Sequence, residues 1–214
     1  MPLVVDRFVL GPFQSNCYVI RRERGCAEAV VVDPGDDPTP LRLELARIGA
    51  RAAGILVTHT DVDHVAGVAG LADGTGAEVW APAGEVDALR RGETRGSLHV
   101  PPHDPAHVVS GGDTVDAAGI VFEVVDVPGH SAGHVAFHSD GVLFSGDVVF
   151  AGSVGRVDLP GGDWDTLLDS IRSLVDRFGP DTVVYPGHGP PTTLGAERER
   201  NPFLAELRTA DQGA

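Results

Sequence analysis

The stretch ILVTHTDVDHVAG, residues 55–67, places four side chains of metal-binding type directly after an apolar run. They are His59, Asp61, Asp63 and His64. The apolar run predicts a buried β-strand, so these side chains follow the carboxyl end of that strand. In α/β folds, ligands gather at such ends, because the loops there present side chains above a rigid sheet. The stretch therefore predicts a ligand-binding site built on a β-sheet.

Three later apolar runs end in the same way. VVDVPGH leads to His130, VLFSGD leads to Asp147 and TVVYPGH leads to His188. A lone histidine is more often structural, but this recurrence at strand ends favours metal ligands. We therefore predict a site with seven ligands, enough for two divalent metal ions that share one carboxylate: His59, Asp61, Asp63, His64, His130, Asp147 and His188.

The pattern along the chain predicts an α/β fold with a mixed sheet interior and outer helices. Short β-rich runs come first, and strands and helices alternate after them. We predict a short helix over 65–72, a long loop over 92–112, an amphipathic helix over 164–178 and a last helix from Thr193 to about Arg208.

Composition excludes several classes of function. The 214 residues carry a formal charge of −15, and all 16 basic residues are arginine, so no lysine is present to form a Schiff base. An acidic chain without a basic stripe is a poor nucleic-acid binder. No run approaches the roughly 20 apolar residues of a membrane span, and two cysteines form no disulfide framework. We expect a soluble, cytoplasmic protein without a nucleic-acid or membrane partner.

These motifs together resemble the metallo-β-lactamase fold superfamily, which has the order T-H-x-H-x-D-H, P-G-H, G-D and P-G-H-G. The segments GDVVFAGSVGRVDLPGGD (146–163) and PGHGPPTTLGAERERNPFL (186–204) resemble its glyoxalase II branch, the hydroxyacylglutathione hydrolases, in the short single-domain form. The resemblance implies an αββα sandwich, with two mixed β-sheets flanked by helices, as a single domain over 1–214.

The resemblance also implies a division of the ligands. The first metal would bind His59, Asp61 and His130, the second would bind the remaining ligands of the 55–67 stretch together with His188, and Asp147 would bridge the two. The metals would be Zn or Fe, with Mn also compatible. In the hydrolases of this family a metal-bound hydroxide attacks a carbonyl, and Asp63 would orient it as the catalytic residue. A small-molecule thioester is the implied substrate, and a homodimer is left open.

Arg156 is a candidate for substrate binding. It follows a glycine-rich loop, 152–155, and arginine pairs with carboxylates in a bidentate manner. An ion pair with the nearby Asp158 is an equally good interpretation of this residue.

Asp61 departs from the family, which has histidine at this position. If Asp61 binds metal, the site becomes harder and more anionic, which favours iron or manganese over zinc. If it does not, His59, His130 and Asp147 remain, and they form the facial triad of non-haem iron oxygenases. The alternative function is therefore a mononuclear iron persulfide dioxygenase. A third hypothesis is a non-enzymatic member that binds a ligand without turnover.

Overall fold

The first β-sheet is built from the N-terminal half of the chain. The computed structural model describes residues 2–210, and six strands form this sheet in chain order. The first three pair antiparallel and the rest are parallel. The strands are β1 (Val4–Leu10), β2 (Ser15–Arg21), β3 (Glu28–Val32), β4 (Arg51–Leu56), β5 (Glu78–Pro82) and β6 (His107–Val109).

A second six-stranded sheet follows from the C-terminal half. Its strands and a small hairpin are β7 (Thr114–Ala117), β8 (Ile120–Asp126), β9 (Val135–Ser139), β10 (Val142–Gly146), the hairpin β11 (Val149–Phe150) and β12 (Ser153–Val154), then β13 (Val183–Pro186) and β14 (Thr192–Thr193). The order in the sheet is β14-β13-β10-β9-β8-β7, with a parallel pairing of β10 and β13. Both sheets are therefore mixed.

Helices cover the outer faces of the two sheets. They are α1 (Thr39–Arg47), α2 (Val62–Val65), α3 (Val68–Thr75), α4 (Val86–Arg91), α5 (Trp164–Arg177), α6 (Leu194–Arg200) and α7 (Ala205–Ala210), with a 3-10 turn at Pro202–Leu204. Leu41 of α1 and Leu71 of α3 pack on the first sheet, whereas Leu167 and Ile171 of α5 pack on the second.

The central apolar layer lies between the sheets. Ile20 and Leu56 of the first sheet share a cluster with Phe122, Phe137 and Phe144 of the second. All five side chains are fully buried. With helices outside and two mixed sheets inside, the predicted αββα sandwich is confirmed.

Two helix predictions were wrong in their bounds. The helix expected over 65–72 is interrupted, because the Gly67 N–H donates to the Pro34 carbonyl at 2.8 Å instead of continuing the first helix. The last helix, expected to run to about Arg208, breaks after Arg200. Pro202 lacks an N–H and restricts Asn201 to an extended conformation, with ψ 120°.

Short elements were also missed. β6 lies inside the loop predicted over 92–112, and α4 and β7 had no prediction. Runs of three to six residues are too short to show a period, so tertiary pairing decides them. Among residues 2–210, no helix is long and apolar enough to cross a membrane.

Candidate metal centre

Four strand ends bring the predicted ligands to one edge of the sandwich. The loop after β4 carries His59, and the loops after β8, β10 and β13 carry His130, Asp147 and His188. The loops are held to each other by backbone hydrogen bonds, including Gly187 N to Gly146 O at 2.8 Å and Asn16 N to Gly187 O at 2.7 Å. All seven predicted ligands therefore come together, although they span 130 residues of sequence.

One group of donor atoms consists of Asp63, His64 and His188 together with Asp147. His188 Nε2 lies 3.2 Å from Asp63 Oδ2 and 3.4 Å from Asp147 Oδ2. His64 Nε2 lies 3.4 Å from Asp147 Oδ1. Ligands about 2.0–2.1 Å from a tetrahedral ion are separated by roughly 3.3 Å, so this spacing suits a metal ion. We refer to these four residues as the second group.

A neighbouring group consists of His59, Asp61 and His130. Asp61 Oδ2 lies 3.7 Å from His59 Nε2 and 3.3 Å from His130 Nε2. His130 Nε2 is in turn 3.6 Å from Asp147 Oδ2, which places Asp147 between the two groups. This is the bridging position that the family resemblance predicted. We refer to His59, Asp61 and His130 as the first group.

A hydrogen bond donated by Nδ1 orients each of three imidazoles. His64 Nδ1 donates to Asp33 Oδ2 at 2.9 Å, and His59 Nδ1 donates to Thr58 Oγ1 at 2.9 Å. His130 Nδ1 donates to the Arg156 carbonyl at 2.7 Å. A proton on Nδ1 leaves the Nε2 lone pair free for a metal, which is the usual arrangement of histidine ligands.

Buried atoms without partners support a cation at this centre. His59 Nε2, His64 Nε2 and Asp147 Oδ1 are buried and have no hydrogen-bond partner within residues 2–210. Such atoms are costly unless another group satisfies them. His64 and Asp147 of the second group thus fit a bound metal ion, and His59 of the first group also presents a free nitrogen to the centre.

The pKa values reflect the same concentration of charge. Burial opposes ionisation of Asp63, but hydrogen bonding to His188 and the charge of His64 lower its pKa to about 2. Burial would lower the pKa of His188, yet hydrogen bonds to Asp147 and Asp63 raise it to about 9. The carboxylates therefore stay ionised near neutral pH and favour positive charge at the imidazoles or between them.

Arg95 is a site residue that sequence reasoning missed. Its Nε donates to Asp61 Oδ1 at 2.6 Å, and its Nη2 donates to Asp61 Oδ2 and, at 2.7 Å, to His130 Nε2. Its Nη1 donates to the His130 carbonyl. The side chain is 10% exposed and that of Asp61 is 14% exposed, so this ion pair is largely removed from water.

Two further carboxylates support the ligands and were not predicted. Asp33, which directly follows β3 and has a positive φ of 51°, also accepts from Thr58 N at 2.8 Å. Glu85 accepts from Thr60 N at 2.8 Å and from the Ser131 hydroxyl, which ties the loop after β4 to the loop that carries His130. The signal for Asp33 was present, since VVVD is another apolar run that ends in an acid.

Arg156 pairs with Asp158 in the structure. Its Nε and Nη2 donate to the two carboxylate oxygens at 2.6 and 2.7 Å, and both side chains are exposed. The same arginine lines the cavity over the metal centre. The ion-pair interpretation is therefore observed, and binding of a substrate carboxylate stays a prediction.

The cavity over the metal centre has a volume of about 290 Å³. Its polar lining consists of Asp61, Asp63, His130, Asp147, Arg156 and His188. Its walls add a set of apolar side chains: Phe13, Val62, Leu98 and Leu159. A small molecule with an apolar portion fits such a lining.

Residues 10–188 match the metallo-beta-lactamase superfamily. The chain belongs to this superfamily. Its similarity to hydroxyacylglutathione hydrolase GloC of Haemophilus influenzae is 32% identity over 201 residues, which covers 90% of this chain and 93% of that protein. The predicted resemblance is therefore confirmed at the level of the superfamily and its hydroxyacylglutathione hydrolase-like relatives.

Solved structures of the metallo-β-lactamase fold superpose on this chain and support the same family. BLEG-1 B3 metallo-beta-lactamase superposes with a TM-score of 0.87 and 34% identity, covering 94% of this chain and 100% of that chain. TTHA1623 in a di-iron-bound form gives a TM-score of 0.81 and 38% identity, with 94% and 100% covered. The chain thus has the fold and the ligand clusters of a metal-binding metallo-hydrolase family.

Proposed function

We propose that this protein is a metal-dependent hydrolase that cleaves the thioester of a small thiol. The observation that carries the proposal is the second group, Asp63, His64, Asp147 and His188, of which all but the buried His64 line a cavity with apolar walls. The similarity to a hydroxyacylglutathione hydrolase supports the choice of a thioester over other acyl compounds.

The residues of the second group would hold a divalent Zn, Fe or Mn ion. When bound, such an ion polarises a carbonyl and lowers the pKa of water. Asp63 borders the cavity, and Ser15 Oγ donates to its Oδ2 at 2.6 Å, which fixes the carboxylate. Because the pKa of Asp63 is about 2, the carboxylate is ionised at neutral pH and can accept a hydrogen bond that orients water.

The cavity walls indicate how a substrate lies. Phe13 and Leu98 are 55% and 49% exposed, which is unusual for large apolar side chains and provides a contact surface for an acyl chain. Arg156 stands at the same cavity and offers a cation to a carboxylate on the thiol portion. Displacement of Asp158 from Arg156 would accompany that contact.

The alternative, a mononuclear iron persulfide dioxygenase, requires open coordination by His59, His130 and Asp147. The Arg95 guanidinium donates to His130 Nε2, the atom that such an iron would need. The geometry therefore supports the hydrolase better.

The test is thiol release from acyl esters of glutathione and of smaller thiols by protein loaded separately with Zn, Fe or Mn. We expect cleavage by wild type and a loss of roughly 10²–10⁴-fold in kcat for Asp63→Asn. Asp37→Asn is the matched control, since Asp37 is exposed and accepts from Thr39 N outside the site. No cleavage above the buffer rate with any metal would refute the proposal, and oxygen uptake with a persulfide would favour the dioxygenase.

A further inference from the structure

The Arg95 guanidinium lies among the residues of the first group. Arg95 belongs to the segment between α4 and β6, 34 residues beyond Asp61 in sequence. Three of its nitrogens donate to Asp61 and His130, which come from the two different sheets. The guanidinium thus takes up a position that the first metal would need.

These hydrogen bonds occupy the lone pairs of Asp61 and His130 that a metal would use, so that within residues 2–210 only His59 Nε2 of the first group is left without a partner. Both carboxylate oxygens of Asp61 accept from Arg95, in a bidentate pair. His130 Nε2, oriented by its Nδ1 bond to the Arg156 carbonyl, accepts from Arg95 Nη2 at 2.7 Å. A divalent ion entering here would have to break these bonds and would meet a positive charge at contact distance.

The identity of residue 61 fits this arrangement. Aspartate offers two coplanar acceptors to the arginine fork, which histidine does not. The ion pair is largely buried, and an aspartate left without its arginine would be an uncompensated charge. Asp61 and Arg95 therefore form a matched pair, with Asp61 as a partner of Arg95 and not as a metal ligand.

The second group keeps its coordinating atoms. His64 Nε2 and Asp147 Oδ1 have no hydrogen-bond partner in the described part of the chain, and His188 Nε2 faces two carboxylates. We infer that the guanidinium of Arg95 takes the place of the first metal, so that each chain binds one metal ion, in the second group. This inference rests on the proposed function for the role of that metal, and it specifies the metal content.

The first test is metal content per chain by elemental mass spectrometry, after incubation with excess zinc or iron and rapid desalting. We expect one ion per wild-type chain and a rise to two for Arg95→Ala, which frees Asp61 and His130. Arg91→Ala is the matched control, because Arg91 is exposed and pairs with Glu93 outside the site. It should keep one ion.

Two ions or none per wild-type chain would overturn the inference, as would one ion in a folded Arg95→Ala variant. Should that variant fail to fold because Asp61 loses its partner, the double variant Asp61→His/Arg95→Ala removes the unpaired charge and should bind two ions. A count of one in the double variant would also overturn the inference.

A third variant locates the metal. His188→Ala removes a ligand of the second group only, so it should lose the single ion, and retention of a full ion would overturn the assignment. Thioester cleavage is scored separately. One ion per chain without thioester cleavage would refute the proposed function and leave the inference intact. Two ions per chain with thioester cleavage would refute the inference and leave the proposed function intact.

Discussion

At the scale of single residues, Asp33 holds the imidazole of His64, a candidate metal ligand, in a fixed orientation. Its Oδ2 accepts from His64 Nδ1 at 2.9 Å and from Thr58 Oγ1 at 2.7 Å. A carboxylate behind a histidine ligand holds the ring in orientation and makes the other nitrogen a stronger donor. Asp33 is therefore a positioning residue for the second group.

Asp33→Asn should weaken metal binding by about 10–100-fold, because the charge behind His64 is lost. The measurement is competition for zinc with a chromophoric chelator. The Asp37→Asn variant, which changes an exposed residue outside the site, should bind zinc as wild type does. Equal affinity of wild type and Asp33→Asn would show that Asp33 has no influence on the metal.

Gly187 is a second residue that cannot be substituted without displacing neighbouring atoms of the site. A Cβ on Gly187 would lie 2.0 Å from Asp147 Oδ1 and 2.7 Å from His64 Cε1, closer than atoms approach without displacement. Gly187→Ala should lower metal affinity about tenfold or more, since it pushes a ligand aside. Gly179→Ala, where nothing lies within 4 Å, is the control for the same competition assay. Unchanged affinity in Gly187→Ala would contradict the close packing.

That the seven candidate ligands lie together could be predicted because they follow apolar runs, so sequence position alone placed them at strand ends. Arg95 could not. It lies in an irregular segment, it follows no strand, and its partners are 34 and 35 residues away. Only the unusual aspartate at position 61 hinted that a cation was near.

At the scale of elements, Glu85 joins three connecting segments. It begins α4, and its carboxylate accepts from Thr60, from Ser131 and from Gly133 N at 3.3 Å. Burial would raise the pKa of Glu85, but the charge of His59 and the hydrogen bonds of Ser131 and Thr60 lower it below its usual range. The ionised form is therefore the one that holds the loops together.

Glu85→Gln should reduce the free energy of unfolding at pH 7 by roughly 2–4 kcal/mol, since an amide replaces a fully accepting carboxylate. Because the folded-state pKa is lowered, this contribution is present above the ordinary glutamate pKa of about 4.3 and is lost as the pH falls through the folded value. Denaturant unfolding of both proteins across pH should show the difference shrinking in acid.

Glu93→Gln serves as the control for Glu85→Gln, since Glu93 is exposed and pairs with Arg91. Its effect should stay within about 0.5 kcal/mol. A stability difference between wild type and Glu85→Gln that does not change with pH would rule out the carboxylate as its source.

Long elements and strands with a continuous apolar run were predictable, whereas short elements without such a run were not. α5 shows an apolar face over 14 residues, and its predicted start is confirmed by Asp163, which accepts from Thr166 N. The four-residue strand β7 has no comparable period and exists because it pairs with β8. The end of the helix before Pro202 is indicated in the sequence by the Asn-Pro dipeptide, which the prediction of a continuous helix did not take into account.

At the scale of the whole molecule, the second group draws its ligands from both sheets. Asp63 and His64 follow β4 of the first sheet, whereas Asp147 and His188 follow β10 and β13 of the second. An ion bound to all four would join the two halves of the sandwich. Metal binding should therefore stabilise the entire fold.

Chelation should lower the melting temperature of metal-loaded protein by about 5–15 °C, given roughly 2.7–4.1 kcal/mol of linkage at 100–1,000 times the Kd. Differential scanning calorimetry with and without chelator measures the shift. The His188→Ala protein should show almost none, because it lacks a ligand. Equal melting temperatures for wild type with and without chelator would show that metal binding does not stabilise the fold.

The pairing of Arg95 with Asp61 has a consequence for how the protein responds to its supply of metal. A guanidinium attached to the backbone is synthesised with the chain, so chelators and scarcity do not remove it and no competing ion exchanges with it. One of the two cationic positions at this centre is therefore always filled. The other position follows a single binding equilibrium, so its occupancy should rise hyperbolically with free metal and level off at one ion per chain.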